Sequence, residues 1–163
     1  MPIPDFVSRL RAQVGTELLW LPGVSAVVVD DAGRVLLGRR ADNGRWAVIS
    51  GILEPGEQPA VAVVREVLEE TGVVAEVVGL AAVATDADVV VYPNGDRAQY
   101  LDLTFACRFV DGEARVADDE STEVGWFMPD ALPTPLVASS RQRIERALAF
   151  ADAPGEGTWF ARS

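Results

Sequence analysis

The stretch that decides the reading is Gly51 to Val73, GILEPGEQPAVAVVREVLEETGV. Pro59 suits a first helical position, where its missing N–H would have no partner, and Gly72 suits the C-terminal cap, which favours a left-handed backbone. The segment between them therefore reads as a helix. At about 100° per residue, Glu66, Glu69 and Glu70 share one face, with Val61, Val64 and Leu68 opposite and Val67 on the flank. The expectation is that the valine–leucine side packs on a sheet while the other side displays three carboxylates within one turn. That face is unfavourable by itself: like charges four residues apart repel, and a helix C-terminus is the wrong end for anions. Water relieves a solvated acidic stripe; a divalent cation relieves hard oxygen ligands clustered on a rigid element. Spacing alone leaves both readings open.

Composition narrows the chemistry. The chain has 163 residues, 49% hydrophobic and 24% charged, enough for one globular domain with a real core. A net charge of −11 opposes binding to duplex nucleic acid or an anionic membrane. No apolar run approaches the roughly 20 residues that span a bilayer. All 14 basic residues are arginine and histidine is absent, which removes the usual general base and the commonest transition-metal ligand. Acid–base chemistry near neutral pH then falls to carboxylates, tyrosine or metal-activated water. Any metal sits mainly on oxygen, which favours Mg²⁺, Mn²⁺ or Ca²⁺. Cys107 is the only cysteine, so an internal disulfide and a thiolate cluster are excluded, and the alternation of LTFACRFV marks it as a buried thiol. The opening MPIPDFVSRLRAQVG is broken by Asp5, Arg9 and Arg11, unlike a signal peptide, so the expected location is cytoplasmic.

Working outward from the quoted stretch, Asp5–Val14 reads as a short amphipathic helix. Residues 24–30, 34–40 and 46–50 read as strands, the first two around the turn Asp31–Ala32–Gly33, and 73–84 and 123–128 as further strands. Residues 88–93 and 98–110 form a hairpin around Asn94–Gly95. Residues 135–151 read as a helix with Leu136, Ile144 and Leu148 on one stripe and Arg141, Arg143 and Arg146 largely outside it, and the last dozen residues as a tail held by Trp159 and Phe160. Strands mixed with a few helices give an α+β or mixed α/β fold. Trp46 and Trp126, beside apolar strands, read as core in preference to base-stacking residues.

Gly51, five residues, Glu57, seven residues, then Arg65–Glu66–Val67–Leu68–Glu69–Glu70–Thr71–Gly72–Val73 resembles the signature of the Nudix hydrolases, G-x5-E-x7-R-E-U-x-E-E-x-G-U with U a bulky aliphatic residue, and meets every fixed position. A chance match is expected at about one site in 10⁸ or rarer. The box covers 23 residues, and the likeness extends more loosely from about Gly23 to Pro133. The resemblance implies an αβα sandwich around a mixed sheet, with the box forming loop–helix–loop. It implies an extension over residues 1–20, the Nudix domain over 21–152 and a tail over 153–163. It also implies hydrolysis of a diphosphate bond in a nucleoside diphosphate linked to another group, by water with Mg²⁺, or with Mn²⁺ in its place.

Carried over by position, Glu66, Glu69 and Glu70 are the implied metal ligands, with the Gly51 carbonyl beside them and Glu66 a candidate general base. Arg65 orients the neighbouring carboxylates, and Glu57 braces the loop or Arg65. Some relatives supply another acid from a later loop; of Asp118, Asp119, Glu120 and Glu123, Glu120 is preferred, against a plain solvated acidic loop. Arg39, Arg40 and Arg45 are candidate phosphate-binding residues, of which only one of Arg39 and Arg40 should face the site, because strand neighbours alternate. Where many relatives carry two glycines this chain has Gly51–Ile52, and markers that sort relatives by substrate, including a proline or a tyrosine beyond the box, do not align with Pro93 or Tyr92. The implied substrate is a small nucleotide, either a nucleoside diphosphate sugar such as ADP-ribose or a nucleoside triphosphate. The alternatives are a non-catalytic nucleotide sensor and a diphosphate isomerase, which would need a reactive cysteine. A homodimer in which the first twenty residues cover the partner is one further assembly the chain allows.

Overall fold

The structure, a computed structural model, describes residues 3–162. Along the chain run α1 (Asp5–Val14), β1 (Leu18–Val29), β2 (Val35–Arg40), β3 (Trp46–Ala47), β4 (Ile49–Ile52), α2 (Pro59–Thr71), β5 (Val73–Thr85), β6 (Val90–Val91), β7 (Arg97–Gly112), β8 (Ser121–Phe127) and α3 (Ala138–Asp152). The strands join one mixed sheet with the central order β3-β2-β1-β7-β5; β4 pairs with β1, β6 with β7 and β8 with β2. β1 and β7 run parallel from Leu18↔Arg97 to Val29↔Arg108, and the remaining pairs are antiparallel.

Alternation along β1 divides the interior into two layers. Val24, Ala26 and Val28 point to one side, where Leu36, Ile49 and Phe105 meet Ala62, Val63 and Val67 of α2. Val27 points to the other, where Val35, Leu37, Trp46 and Val48 meet Ile144 and Ala147 of α3. Each fully buried valine or isoleucine contributes roughly 1.5–3 kcal/mol. The result is the expected αβα sandwich. A smaller apolar cluster, built on Val7 of α1, Leu21 and Ala98, closes the end of the sheet where β1 begins.

Several boundaries moved for identifiable reasons. β1 starts at Leu18, not at residue 24, because its first half pairs with β7 in spite of Pro22 and Gly23. The segment 46–50 is divided between β3, which pairs with β2, and β4, which pairs with β1. α3 starts at Ala138, not at 135, because the backbone on either side of Leu136 is committed to β3: Trp46 N donates to Pro135 O and Val137 N to Trp46 O, both at 2.8 Å. Trp159 joins the sheet edge, donating to Ala81 O at 2.8 Å and accepting from Val83 N at 2.9 Å, while the Arg146 guanidinium lies 3.5 Å over its ring.

Arg143 departs from the expected outward face of α3. Its side chain is only 13% exposed, reaching Asp102 (Nε to Oδ2, 3.2 Å) and Asp86 (Nη2 to Oδ2, 2.9 Å). Asp102, itself buried, also accepts from Ser25 Oγ and Thr104 Oγ1, each at 2.6 Å. A buried carboxylate beneath α3 drew the arginine inward, a long-range pairing invisible to helical spacing. Trp46 is core, edge-on to Phe127 at 4.9 Å between ring centroids, and Trp126 packs edge-on to Phe109 at 5.6 Å.

Candidate active site

α2 follows the sequence reading at both ends. Pro59 opens it, and Gly72 closes it at φ 69°, its N–H reaching Leu68 O at 2.9 Å. Which face it buries is a correction. The residues turned inward are Ala62, Val63, Glu66, Val67, Glu70 and Thr71, whereas Val61 and Leu68 are exposed. The wheel set the acidic face opposite the packing face, but Val63, Glu66, Val67 and Glu70 form one continuous ridge at three- and four-residue steps. Two of the three carboxylates therefore lie at the buried margin, with Glu66 and Glu70 only 4% and 6% exposed.

Gly51, on β4 against β1, makes room for this. A Cβ there would stand 2.3 Å from both Cδ and Oε1 of Glu66, so no other residue fits beside that carboxylate in its present position. Glu70 Oε1 is buried without a hydrogen-bond partner among the described residues. Burial, then the charges of Glu66 and Asp118, push the Glu70 carboxyl up to about 8. Burial also raises Glu66, and Arg65 partly offsets it.

Arg65 organises the outer side. It grips Glu57 with two hydrogen bonds (Nε to Oε1, 2.8 Å; Nη2 to Oε2, 3.1 Å), and its Nη1 lies 2.9 Å from Glu69 Oε2 and 3.1 Å from Glu66 Oε1. The paired hydrogen bond holds Glu57 below the usual carboxylate range and raises the arginine further. Glu57 thus lies against Arg65 in the loop before α2.

The loop between β7 and β8 is brought here by the helix end. Arg115 N donates to Thr71 O at 3.0 Å and Ala117 N to Glu70 O at 3.1 Å, satisfying carbonyls that the last turn leaves open. Asp118 and Glu120 then join Pro4, Ile52, Glu54, Arg65, Glu66 and Glu69 around a cavity of about 350 Å³. Glu123 is directed elsewhere, to Arg39 at 2.6 Å. Pro4 and Glu54 were missed by sequence reading: nothing in their local pattern separates them from ordinary loop residues. Asp118 was weighed but ranked below Glu120, because only the docking of this loop on α2 shows which acids face inward.

The candidate phosphate arginines separate. Arg39 is tied to Glu123 and to Gly44 O. Arg40 forms a paired contact with Asp42 (2.9 and 2.6 Å) that raises the guanidinium and holds the Asp42 carboxyl down, and its charge partly offsets the upward shifts of Glu70 and Tyr100. Arg45 is exposed. Cys107 is buried, and burial pushes its thiol up to about 12, far from a reactive nucleophile.

Among the described residues, no three acidic or thiol side chains are already drawn around one point, and Arg65 holds Glu69 on the outer side. The donor chemistry nonetheless fits a hard divalent cation: an orphaned buried carboxylate oxygen, a second buried carboxylate beside it, and a backbone position kept free of side chain. No helix among the described residues is long and apolar enough to cross a membrane.

A family model for the NUDIX domain matches residues 19–147. The chain is 43% identical over 107 residues to a "MutT-like protein" of Streptomyces ambofaciens; the match covers 66% of this chain but only 63% of that relative's length. It is 31% identical to an "RNA pyrophosphohydrolase" of Novosphingobium aromaticivorans, over 79% of this chain and 89% of the relative. Among solved structures, a MutT NUDIX hydrolase from Burkholderia pseudomallei superposes with a TM-score of 0.67 at 31% identity, covering 78% of this chain and 98% of that one. With a complete box on an αβα frame and a family match across most of its length, the chain belongs to the Nudix hydrolase family.

Proposed function

We propose that this chain hydrolyses a diphosphate bond in a small nucleotide, with Mg²⁺ as the preferred cation and Mn²⁺ as a substitute. The observation that carries the reading is Glu70, a buried carboxylate with an unpartnered oxygen next to a second buried carboxylate, Glu66. Burying two like charges is costly unless something positive joins them. Glu66, Glu69 and Glu70 would hold the cation, with the Gly51 carbonyl beside them. A cation held there supplies Lewis-acid stabilisation of phosphate charge and activates water for attack. Arg65 keeps Glu66 and Glu69 oriented and is itself fixed by Glu57. Glu66 and Glu120 are the candidate acid–base groups, and Arg39, Arg40 and Arg45 are the candidate phosphate-binding residues.

The substrates within reach of this reading are ADP-ribose, other nucleoside diphosphate sugars and nucleoside triphosphates. Relatives named as an ADP-ribose pyrophosphatase and an RNA pyrophosphohydrolase support the reaction class. The net charge of −11 opposes duplex nucleic acid as a substrate, and a cytoplasmic setting suits small nucleotides. The inert Cys107 counts against the isomerase alternative. The test is a product assay over these nucleotides with and without Mg²⁺, in ¹⁸O-labelled water. Cation-dependent cleavage with label in one phosphate product is expected. No cleavage of any of them with Mg²⁺ or Mn²⁺ contradicts the reading.

A further inference from the structure

We propose that the groove between α3 and the C-terminal tail is a second ligand site, separate from the acidic cavity, and that it binds a purine mononucleotide: Trp159 and Phe160 stack on the base while Arg146 and Arg162 take the phosphate. The groove, of about 740 Å³, shares no lining residue with the acidic cavity. Its size lies in the range of roughly 300–1,000 Å³ that small-ligand sites occupy.

Both walls are anchored. Arg146, Ala149, Phe150 and Ala153 follow one another at three- and four-residue steps and form one ridge of α3. The Phe150 ring sits on bare backbone, since a Cβ at Gly79 would stand 2.6 Å from its Cζ. The facing wall is the tail. Thr158 Oγ1 donates to Leu80 O at 2.8 Å, and the backbone of Trp159 exchanges hydrogen bonds with Ala81 and Val83 of the edge strand β5.

The chemistry of the lining selects the ligand. Arg146 is half-buried, with its guanidinium 3.5 Å over the Trp159 ring. Yet neither its guanidinium nor that of Arg162 hydrogen-bonds or ion-pairs with any described residue. Half-buried donors of this kind ordinarily find an acceptor. Burial, then the charge of Arg143, hold the Arg146 guanidinium below its ordinary range, and Asp102, Asp86 and Glu145 offset only part of this. An anion completes the balance. Glu145 and Glu156 also line the groove, but both are exposed, where water solvates them. Trp159 and Phe160 stay 40% and 54% exposed, and Arg162 lies 5.5 Å over the Phe160 ring. Open aromatic faces beside guanidinium groups are stacking partners for a flat base. A base carrying one phosphate supplies both halves, and the net charge of −11 opposes any longer nucleic acid.

The test titrates AMP into the full-length chain in chelator, with affinity read by calorimetry and tryptophan fluorescence followed alongside. AMP should bind with a Kd of about 0.1–1 mM, about tenfold tighter than adenosine or ribose 5-phosphate, and should quench the fluorescence. Arg146→Gln and Arg162→Gln should each weaken AMP about fivefold or more. Arg162 is exposed on the tail, so its variant keeps the test valid if Arg146→Gln folds poorly. Trp159→Phe should lose most of the quench. Glu70→Gln, in the other cavity, should leave the affinity within about twofold. No detectable binding of AMP, unchanged affinity in both arginine variants, or equal affinity for AMP and ribose 5-phosphate overturns the site. Binding lost in Glu70→Gln but kept in both arginine variants puts AMP in the acidic cavity and overturns it too. Each readout is binding without turnover, so the site and the hydrolytic function stand or fall separately.

Discussion

Gly51 and Glu66 are fitted to each other across the gap between β4 and α2: the place where a Gly51 side chain would begin is already held by the Glu66 carboxyl, 2.3 Å away. Gly51→Ala must displace one or the other. The expected outcome is a loss of kcat of about tenfold or more, with a stability cost of about 1–3 kcal/mol from overpacking. Steady-state kinetics and urea unfolding on the same sample check it. Wild-type kcat in a folded Gly51→Ala protein would show that the position of Glu66 does not matter.

Arg65 serves three carboxylates, and its paired hydrogen bonds to Glu57 need a planar fork that lysine lacks. Arg65→Lys should lower stability by about 1–2 kcal/mol. It should also lower kcat, since Glu69 and Glu66 lose their common partner. Thermal unfolding and kinetics together test this. A variant with both values unchanged would mean that the contacts are incidental.

The Glu70 carboxyl, pushed up to about 8 by burial, sets a pH dependence of known sign. Between the ordinary glutamate value, about 4.3, and about 8, the folded protein keeps a proton that the unfolded chain has released. Folding stability in chelator should therefore fall as pH rises through that window, by at most about 1.4 kcal/mol per pH unit from this one group. Glu66 and Asp118, also raised, act in the same direction. Asp30, Asp42 and Glu57 are lowered, so their contribution is lost only as pH falls through their depressed values, below this window. Unfolding of wild type and Glu70→Gln from pH 5 to pH 8 should give a shallower slope for the variant. Equal slopes would remove Glu70 as the source.

Asp102 accepts from Ser25, Thr104 and Arg143 beneath α3. Asp102→Ala strips a buried arginine of one partner and two hydroxyls of another, and should cost about 3–5 kcal/mol. Urea unfolding measures it. A loss below about 1 kcal/mol would place the stability of α3 in its apolar contacts alone.

Much of this was legible in the sequence, for local reasons. Pro59 and Gly72 bracket α2 by backbone chemistry, and Asn94–Gly95 marks the turn between β6 and β7. The Gly51–Val73 spacing carries the family. What was not legible depends on distant partners. The wheel of α2 shows which residues share a face but not which face meets the sheet; the packing of Ala62, Val63 and Val67 with Val24, Leu36 and Ile49 decides that, and Gly51 leaves room for Glu66. Arg143 turned inward for Asp102, 41 residues earlier. Pro4 reached the cavity because α1 docks beside Leu21 and Ala98.

The proposed function gives the buried carboxylates Glu66 and Glu70 at the end of α2 the role of holding a divalent cation that makes a diphosphate hydrolysable. Its most direct test is Mg²⁺-dependent turnover of the best nucleotide substrate by Glu70→Gln, with folding verified by thermal unfolding. A loss of about 100-fold or more in kcat, in a variant as stable as the wild type or more so, is the predicted result. Turnover near the wild-type level in that folded variant would contradict it.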